Sequence, residues 1–133
     1  MIFVDTGAFL ARYIQRDQHH DAAVEHWRIL HDDRRQTFTS NFVLDETITL
    51  LARRTTYQFA AERARTFFES TSLSILRPDE SDEMAALKLF DKYADQSISF
   101  TDCVSFVLME KQGIKVAFTF DRHFKIAGFD VEP

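Results

Sequence analysis

The first apolar run, Ile2-Phe3-Val4, is too short for a helix and reads as a buried strand that stops at Asp5. Residues 6 to 13 follow as a helix. Ala23, Trp27 and Leu30 stand four and three apart and predict a second helix over 20–31. Gln36 to Thr39 is a candidate strand, and Asn41 is placed to cap a helix carrying Val43, Thr47, Leu50 and Leu51 on one side. Thr55 and Gln58 make a capping-box pattern that opens a helix to about Glu69. Ser72-Leu73-Ser74-Ile75-Leu76 alternates polar and apolar and predicts a strand. A helix opened by Asp79 runs to about Tyr93. Ser99 and Asp102 form a second capping-box pattern, before a helix that is apolar nearly all round and stops at Gly113. Lys115 to Phe120 alternates again, and Phe129 to Val131 is a candidate edge strand.

Strands alternating with helices predict an α/β fold around a mainly parallel sheet flanked by helices. Length and composition fit that picture. A chain of 133 residues is expected to form a single domain over 1–133, and 3 Gly and 2 Pro are too few for an all-β fold built on tight turns. The 14 Phe supply large core anchors. One Cys excludes an internal disulfide and any Cys-rich metal site, and it fits a reducing compartment. No signal-peptide pattern and no membrane-length apolar run is visible, so the expected location is the cytoplasm.

In open parallel sheets, reactive groups gather beyond the carboxyl ends of the strands. Asp5 stands just past the first strand and Asp121 just past the strand that ends at Phe120. Each alone reads as a loop or cap residue. Glu46 is level with Val43 and Leu50 on its helix, which puts a carboxylate on the apolar side, where it needs a cationic partner. The adjacent Asp45 fits a first-turn acid facing solvent better. Asp102 opens the apolar helix and so enters a packed region. Four carboxylates without cysteine suit a hard cation, Mg²⁺ or Mn²⁺, and metal-assisted hydrolysis of a phosphodiester.

Four segments carry a resemblance: Phe3-Val4-Asp5-Thr6, Ser40-Asn41-Phe42-Val43-Leu44-Asp45-Glu46-Thr47, Ser99-Phe100-Thr101-Asp102-Cys103 and Thr119-Phe120-Asp121-Arg122-His123-Phe124. Together, in this order over essentially the whole chain, they resemble the PIN domain, and more narrowly the small PIN ribonucleases that serve as VapC-type toxins. The resemblance implies a three-layer α/β fold and a metal site made by Asp5, Glu46, Asp102 and Asp121. It also implies cleavage of RNA to 5′-phosphate and 3′-hydroxyl ends, a homodimer and a small antitoxin partner.

Net charge is −5, which at face value speaks against a nucleic-acid substrate; without the four site acids the balance is −1, and the objection falls. Arg122, Arg12 and Arg16 are candidate phosphate contacts, with Arg53, Arg54 and Lys125 behind them. Thr6 and Thr119 neighbour site acids, and Ser99 and Thr101 neighbour Asp102, as candidate supports for the carboxylates. The five His show no zinc spacing; His123 alone is kept, for its closeness to Asp121. Cys103 reads as a small core residue. Two competing readings remain. One is a non-catalytic RNA- or protein-binding module on the same fold. The other is an aspartyl-type phosphatase, which Gly7 weakens because it stands where that motif has a second Asp.

Overall fold

A computed structural model describes residues 1–133. Five strands, β1 (Ile2–Val4), β2 (Thr37–Ser40), β3 (Leu73–Leu76), β4 (Val116–Phe118) and β5 (Asp130–Glu132), form one sheet in the order β3-β2-β1-β4-β5. Every pairing is parallel. The sheet is therefore parallel throughout, not just mainly so. The helices are α1 (Thr6–Tyr13), α2 (His20–Asp32), α3 (Asn41–Arg54), α4 (Tyr57–Glu69), α5 (Glu80–Lys92), α6 (Phe100–Gln112) and the short α7 (His123–Ile126). Helices α1 to α4 pack as one group and α5 to α7 as another, flanking the sheet. No helix is long and apolar enough to cross a membrane.

β1 is central and buried on both faces, which is why Ile2-Phe3-Val4 is continuously apolar. Phe3, Phe9, Phe118 and Phe124 are the largest fully buried side chains. Phe124 meets Phe3 at 6.5 Å and Phe106 at 5.1 Å between ring centroids. It pins the short α7, and with it the segment after β4, onto the core.

Helix starts depart from expectation in three places. Ser40, not Asn41, caps α3, its hydroxyl accepting from the Val43 amide at 3.0 Å. Thr56, not Thr55, caps α4 by accepting from the Phe59 amide at 3.0 Å. Thr55 instead donates back to the Leu51 carbonyl at 2.6 Å and closes α3. In both cases two adjacent residues can cap, and the turn before the helix selects one. Ser99 caps α6 as expected, accepting from the Asp102 amide at 3.0 Å, but the reciprocal half of the box is absent because the Asp102 carboxylate is engaged elsewhere. The full box occurs at α5, between Asp79 and Asp82. Gly113 ends α6 in the left-handed conformation, φ 70°.

Candidate metal centre

All five strands point the same way, so their carboxyl ends share one edge of the sheet. Asp5 leaves β1 at that edge and Asp121 lies just past β4, while Glu46 sits in the second turn of α3 straight after β2. Asp102 arrives from the first turn of α6, between the sheet and α7.

Asp5 holds the N-cap position of α1, yet its side chain makes no capping bond. Its Oδ2 accepts instead from the Thr119 hydroxyl at 2.8 Å. The same Thr119 oxygen accepts from the Asp121 amide at 3.0 Å. One hydroxyl thus fixes the Asp5 carboxylate and the backbone that carries Asp121. Asp121 Oδ1 accepts from the His123 amide at 2.9 Å, which sets the turn into α7. His123 Nδ1 lies 3.1 Å from Asp102 Oδ2 and 3.1 Å from Asp121 Oδ2. Asp102, Asp121 and His123 present ligand atoms within 4.8 Å of one another.

The electrostatics bind Asp5 and Glu46 into the same set. Burial raises the Asp5 carboxyl to about 7, with repulsion from Asp102 adding to it; the Thr119 hydroxyl and the Thr6 amide pull the other way. Burial likewise raises Asp102 to about 7, with Asp121 and Glu46 repelling it. Glu46 is raised by desolvation, with Asp121 and Asp45 adding repulsion. In each case burial is the larger cause, and the neighbouring carboxylates add to it. No lysine or arginine pairs with any of the four carboxylates; the side-chain nitrogen beside them is His123 Nδ1, next to Asp102 and Asp121. A set of carboxylate oxygens with one nitrogen and no cation of its own fits a hard divalent ion.

The supporting residues divide. Thr119 is buried and tied to both Asp5 and Asp121. The Thr6 hydroxyl is buried and closes no hydrogen bond, although it stands near enough to Glu46 to offset part of the rise that burial gives its carboxyl. Ser99 acts through the α6 cap. Thr101 contributes its carbonyl to the Ser105 hydroxyl, and its own hydroxyl makes no bond to Asp102. Asp45 is exposed and Glu46 half-buried, in keeping with the helix-face argument. Cys103 is buried and its thiol is pushed up to about 11 by that burial, so it is inert at neutral pH.

The basic candidates are not together. Arg122 is exposed beside Asp121, and Lys125 is exposed one turn on. Arg12 is six residues down α1 from the site edge, roughly 9 Å along the axis. Its guanidinium lies over Trp27, 4.7 Å from the ring centroid. Arg16 donates to the Arg54 carbonyl at 2.8 Å, at the far end of α3 from Glu46. The structure therefore does not bring Arg12, Arg16, Arg53 and Arg54 to the acidic cluster. A parallel α/β crossover sends the last turn of each helix to the opposite edge of the sheet from its first.

The family profile described as PIN domain matches residues 2–130. The 23S rRNA-specific endonuclease VapC20 of Mycobacterium tuberculosis is 36% identical over all of this chain and 99% of its own length. A VapC ribonuclease of Archaeoglobus fulgidus is 30% identical over 92% of this chain and 78% of its own length. Among solved structures, Mycobacterium tuberculosis VapC20, described as a Sarcin-Ricin loop cleaving toxin, is similar with a TM-score of 0.88 and 34% identity over the whole of both chains. VapBC2 from Rickettsia felis, solved on a DNA fragment from its promoter, is similar with a TM-score of 0.72 over 99% of this chain and 98% of that one; at 14% identity the likeness is one of fold.

Proposed function

The chain belongs to the PIN-domain family, and on that footing we propose that it is an endoribonuclease that hydrolyses RNA phosphodiester bonds with Mg²⁺ or Mn²⁺ and serves as the toxin of a toxin–antitoxin pair. One observation carries the reading. Asp5, Glu46, Asp102 and Asp121 converge at one edge of the sheet with no lysine or arginine to neutralise them. A cluster that served the fold alone would bring its own counter-charge, because unpaired buried carboxylates destabilise.

Asp5, Glu46, Asp102 and Asp121 are the proposed holders of the ion, with His123 at the side of Asp102 and Asp121. When bound, such an ion supplies charge neutralisation at the phosphate and a more acidic water. The chain's own residues do the positioning. Thr119 aims the Asp5 carboxylate and anchors the Asp121 backbone. Ser99 holds the first turn of α6, so Asp102 projects from a fixed helix. His123 keeps the Asp102 and Asp121 carboxylates within reach of each other. The unpartnered Thr6 hydroxyl is available to a water beside Glu46. Arg122, exposed next to Asp121, is placed for a substrate phosphate.

The name of the 36% identical relative puts ribosomal RNA first among substrates to try. A small antitoxin is the proposed protein partner, and the exposed Met84, Leu87 and Phe90 stripe on α5 is the proposed contact for a second copy of the chain. The test is RNA cleavage by purified protein in Mg²⁺, Mn²⁺ and EDTA, with Asp102→Asn alongside. Asn keeps the volume and its backbone amide still bonds Ser99, but it is a poorer ligand for a hard cation. Cleavage should require the ion and fall at least about a hundredfold in the variant, while the fold persists. Near-normal turnover of folded Asp102→Asn, or full activity in EDTA, would refute the assignment.

A further inference from the structure

A large cavity lies away from the acidic cluster. It is about 1040 Å³ and opens at the other edge of the sheet, around the starts of β2 and β3. Four arginines (Arg12, Arg28, Arg34 and Arg35) and His31 line it, and no acid does, in a chain of net charge −5. Thr71, Ser72 and Ser74 line it as well. This edge is what Arg12 was carried to when α1 took it away from the site.

Two of the arginines are held ready without an anion. The Arg12 guanidinium lies over Trp27, with its centre 4.7 Å from the ring centroid, and is held there by a cation–π contact. Arg34 makes no ion pair and sits at φ 52°, in the left-handed position that follows α2. Its amide bonds the His31 carbonyl and the next amide, of Arg35, bonds the Leu30 carbonyl, which is the helix-ending pattern that glycine suits best. Gly113 fills the corresponding place after α6. At Arg34 the chain carries a guanidinium where the backbone favours no side chain at all. Arg35 reaches Glu132 only at 3.5 Å, whereas Arg28 is taken up by Glu25 and Asp32.

We infer that this cavity is a second RNA-binding site, holding backbone phosphates of the substrate away from the acidic cluster. The inference rests on the ribonuclease reading. Arginine forks and serine or threonine hydroxyls are the groups that grip phosphates without reading bases. β2 spans four residues between the two edges, roughly 13 Å. A strand of a nucleic-acid duplex rises on the order of 3 Å per nucleotide, so a structured RNA reaches both sites within a few nucleotides. An acidic protein segment would meet the same guanidinium groups. RNA is favoured because a substrate polyanion must already pass along this small molecule.

The test measures binding separately from cleavage. Fluorescence anisotropy in EDTA follows a structured ribosomal RNA hairpin across a salt series; cleavage in Mn²⁺ follows the hairpin and a short oligoribonucleotide that covers the acidic cluster alone. Arg12→Gln with Arg34→Gly should raise the hairpin Kd about five- to tenfold and lower the salt slope by about 1.4–1.8, two phosphate contacts' worth. Cleavage of the short oligonucleotide should be unchanged. Arg34→Gly alone should melt no lower than wild type, because glycine suits its backbone, and Arg34→Lys, which keeps the charge but loses the fork, should bind between wild type and Arg34→Gly. An unchanged Kd and slope in the double variant overturns the site. So does Arg34→Lys as weak as Arg34→Gly, or an equal loss of cleavage on both RNAs. If the hairpin binds normally and only an acidic peptide is lost, the cavity belongs to a protein partner and the inference fails. Wild type that cuts neither RNA in Mn²⁺ removes the ribonuclease reading, while a Kd that still rises in the double variant upholds the RNA site.

Discussion

Asp5→Asn should stabilise the metal-free protein above neutral pH, although it removes a buried hydrogen-bonded carboxylate. The folded Asp5 carboxyl is raised from 3.8 to about 7, mainly by burial and by facing Asp102. An acid whose pKa is raised by folding binds more protons folded than unfolded. Its stabilising state is complete below the unfolded pKa and is lost as pH rises through the folded one, here between about 4 and about 7. A shift of roughly 3 units at 1.36 kcal/mol each is about 4 kcal/mol for Asp5 alone. Asp102 is raised to a similar value by burial and by its acidic neighbours, so removing the Asp5 charge relieves it as well; the mutual repulsion counts once. Against this, the charge-assisted bond from Thr119 becomes a neutral one, a loss of about 1 kcal/mol. The net gain of about 3 kcal/mol corresponds to a rise of roughly 10 °C in melting temperature for a domain this size. The assay is thermal melting of wild type and variant in EDTA at pH 4.5 and pH 8, then with increasing Mn²⁺ at pH 8. At pH 4.5 the two should melt nearly together. Mn²⁺ should raise wild type, by about 2.7 kcal/mol at a hundred times its Kd, and raise the variant less. A variant that melts lower in EDTA at pH 8, or a difference that is the same at both pH values, would refute the electrostatic account and leave Asp5 a structural hydrogen-bond acceptor.

Thr119→Val should lower stability by about 1–3 kcal/mol, since it strands a buried Asp5 oxygen and the Asp121 amide, and should cut RNA cleavage at least about tenfold; urea unfolding and initial rates check both, and Thr119→Ser should restore most of the activity. Phe124→Ala should cost about 3–5 kcal/mol, because the ring is fully buried between Phe3 and Phe106. It should also loosen α7, so that Mn²⁺ affinity measured by calorimetry on the folded variant weakens; unchanged affinity would mean that Asp121 and His123 do not depend on this anchor.

The order of elements was legible because each has its own period and stop signal. Ile2-Phe3-Val4, the apolar α6 and Gly113 needed only local rules. What local rules could not decide was which of two adjacent capping residues wins, as at Ser40 and Asn41 or Thr55 and Thr56, since the preceding strand or turn sets the backbone there. Glu46 could be told from Asp45 by helix face alone. Sheet order could not be read, because nothing local in β1 says that β4 lies beside it. Without that order, nearness in sequence does not say which edge of the sheet an arginine reaches, and Arg12 and Arg16 lie away from the acidic cluster. His123 stands out in the sequence through its neighbour Asp121, but its contact with Asp102, 21 residues away, needs α6 and α7 side by side.

The Thr119–Asp5 bond joins residues 114 apart in the chain, and β4 pairs directly with β1 at the centre of the sheet. Until β4 arrives, β1 is an edge strand, Asp5 has no hydroxyl to hold it, and Asp121 and His123 are not in place. Contacts of such sequence separation form late, after the local helices. A chain still emerging from the ribosome therefore lacks the assembled cluster. With the acidic cluster as the proposed site, cleavage would begin only when synthesis is almost finished, a safeguard written into the strand order for a ribonuclease made on an RNA machine.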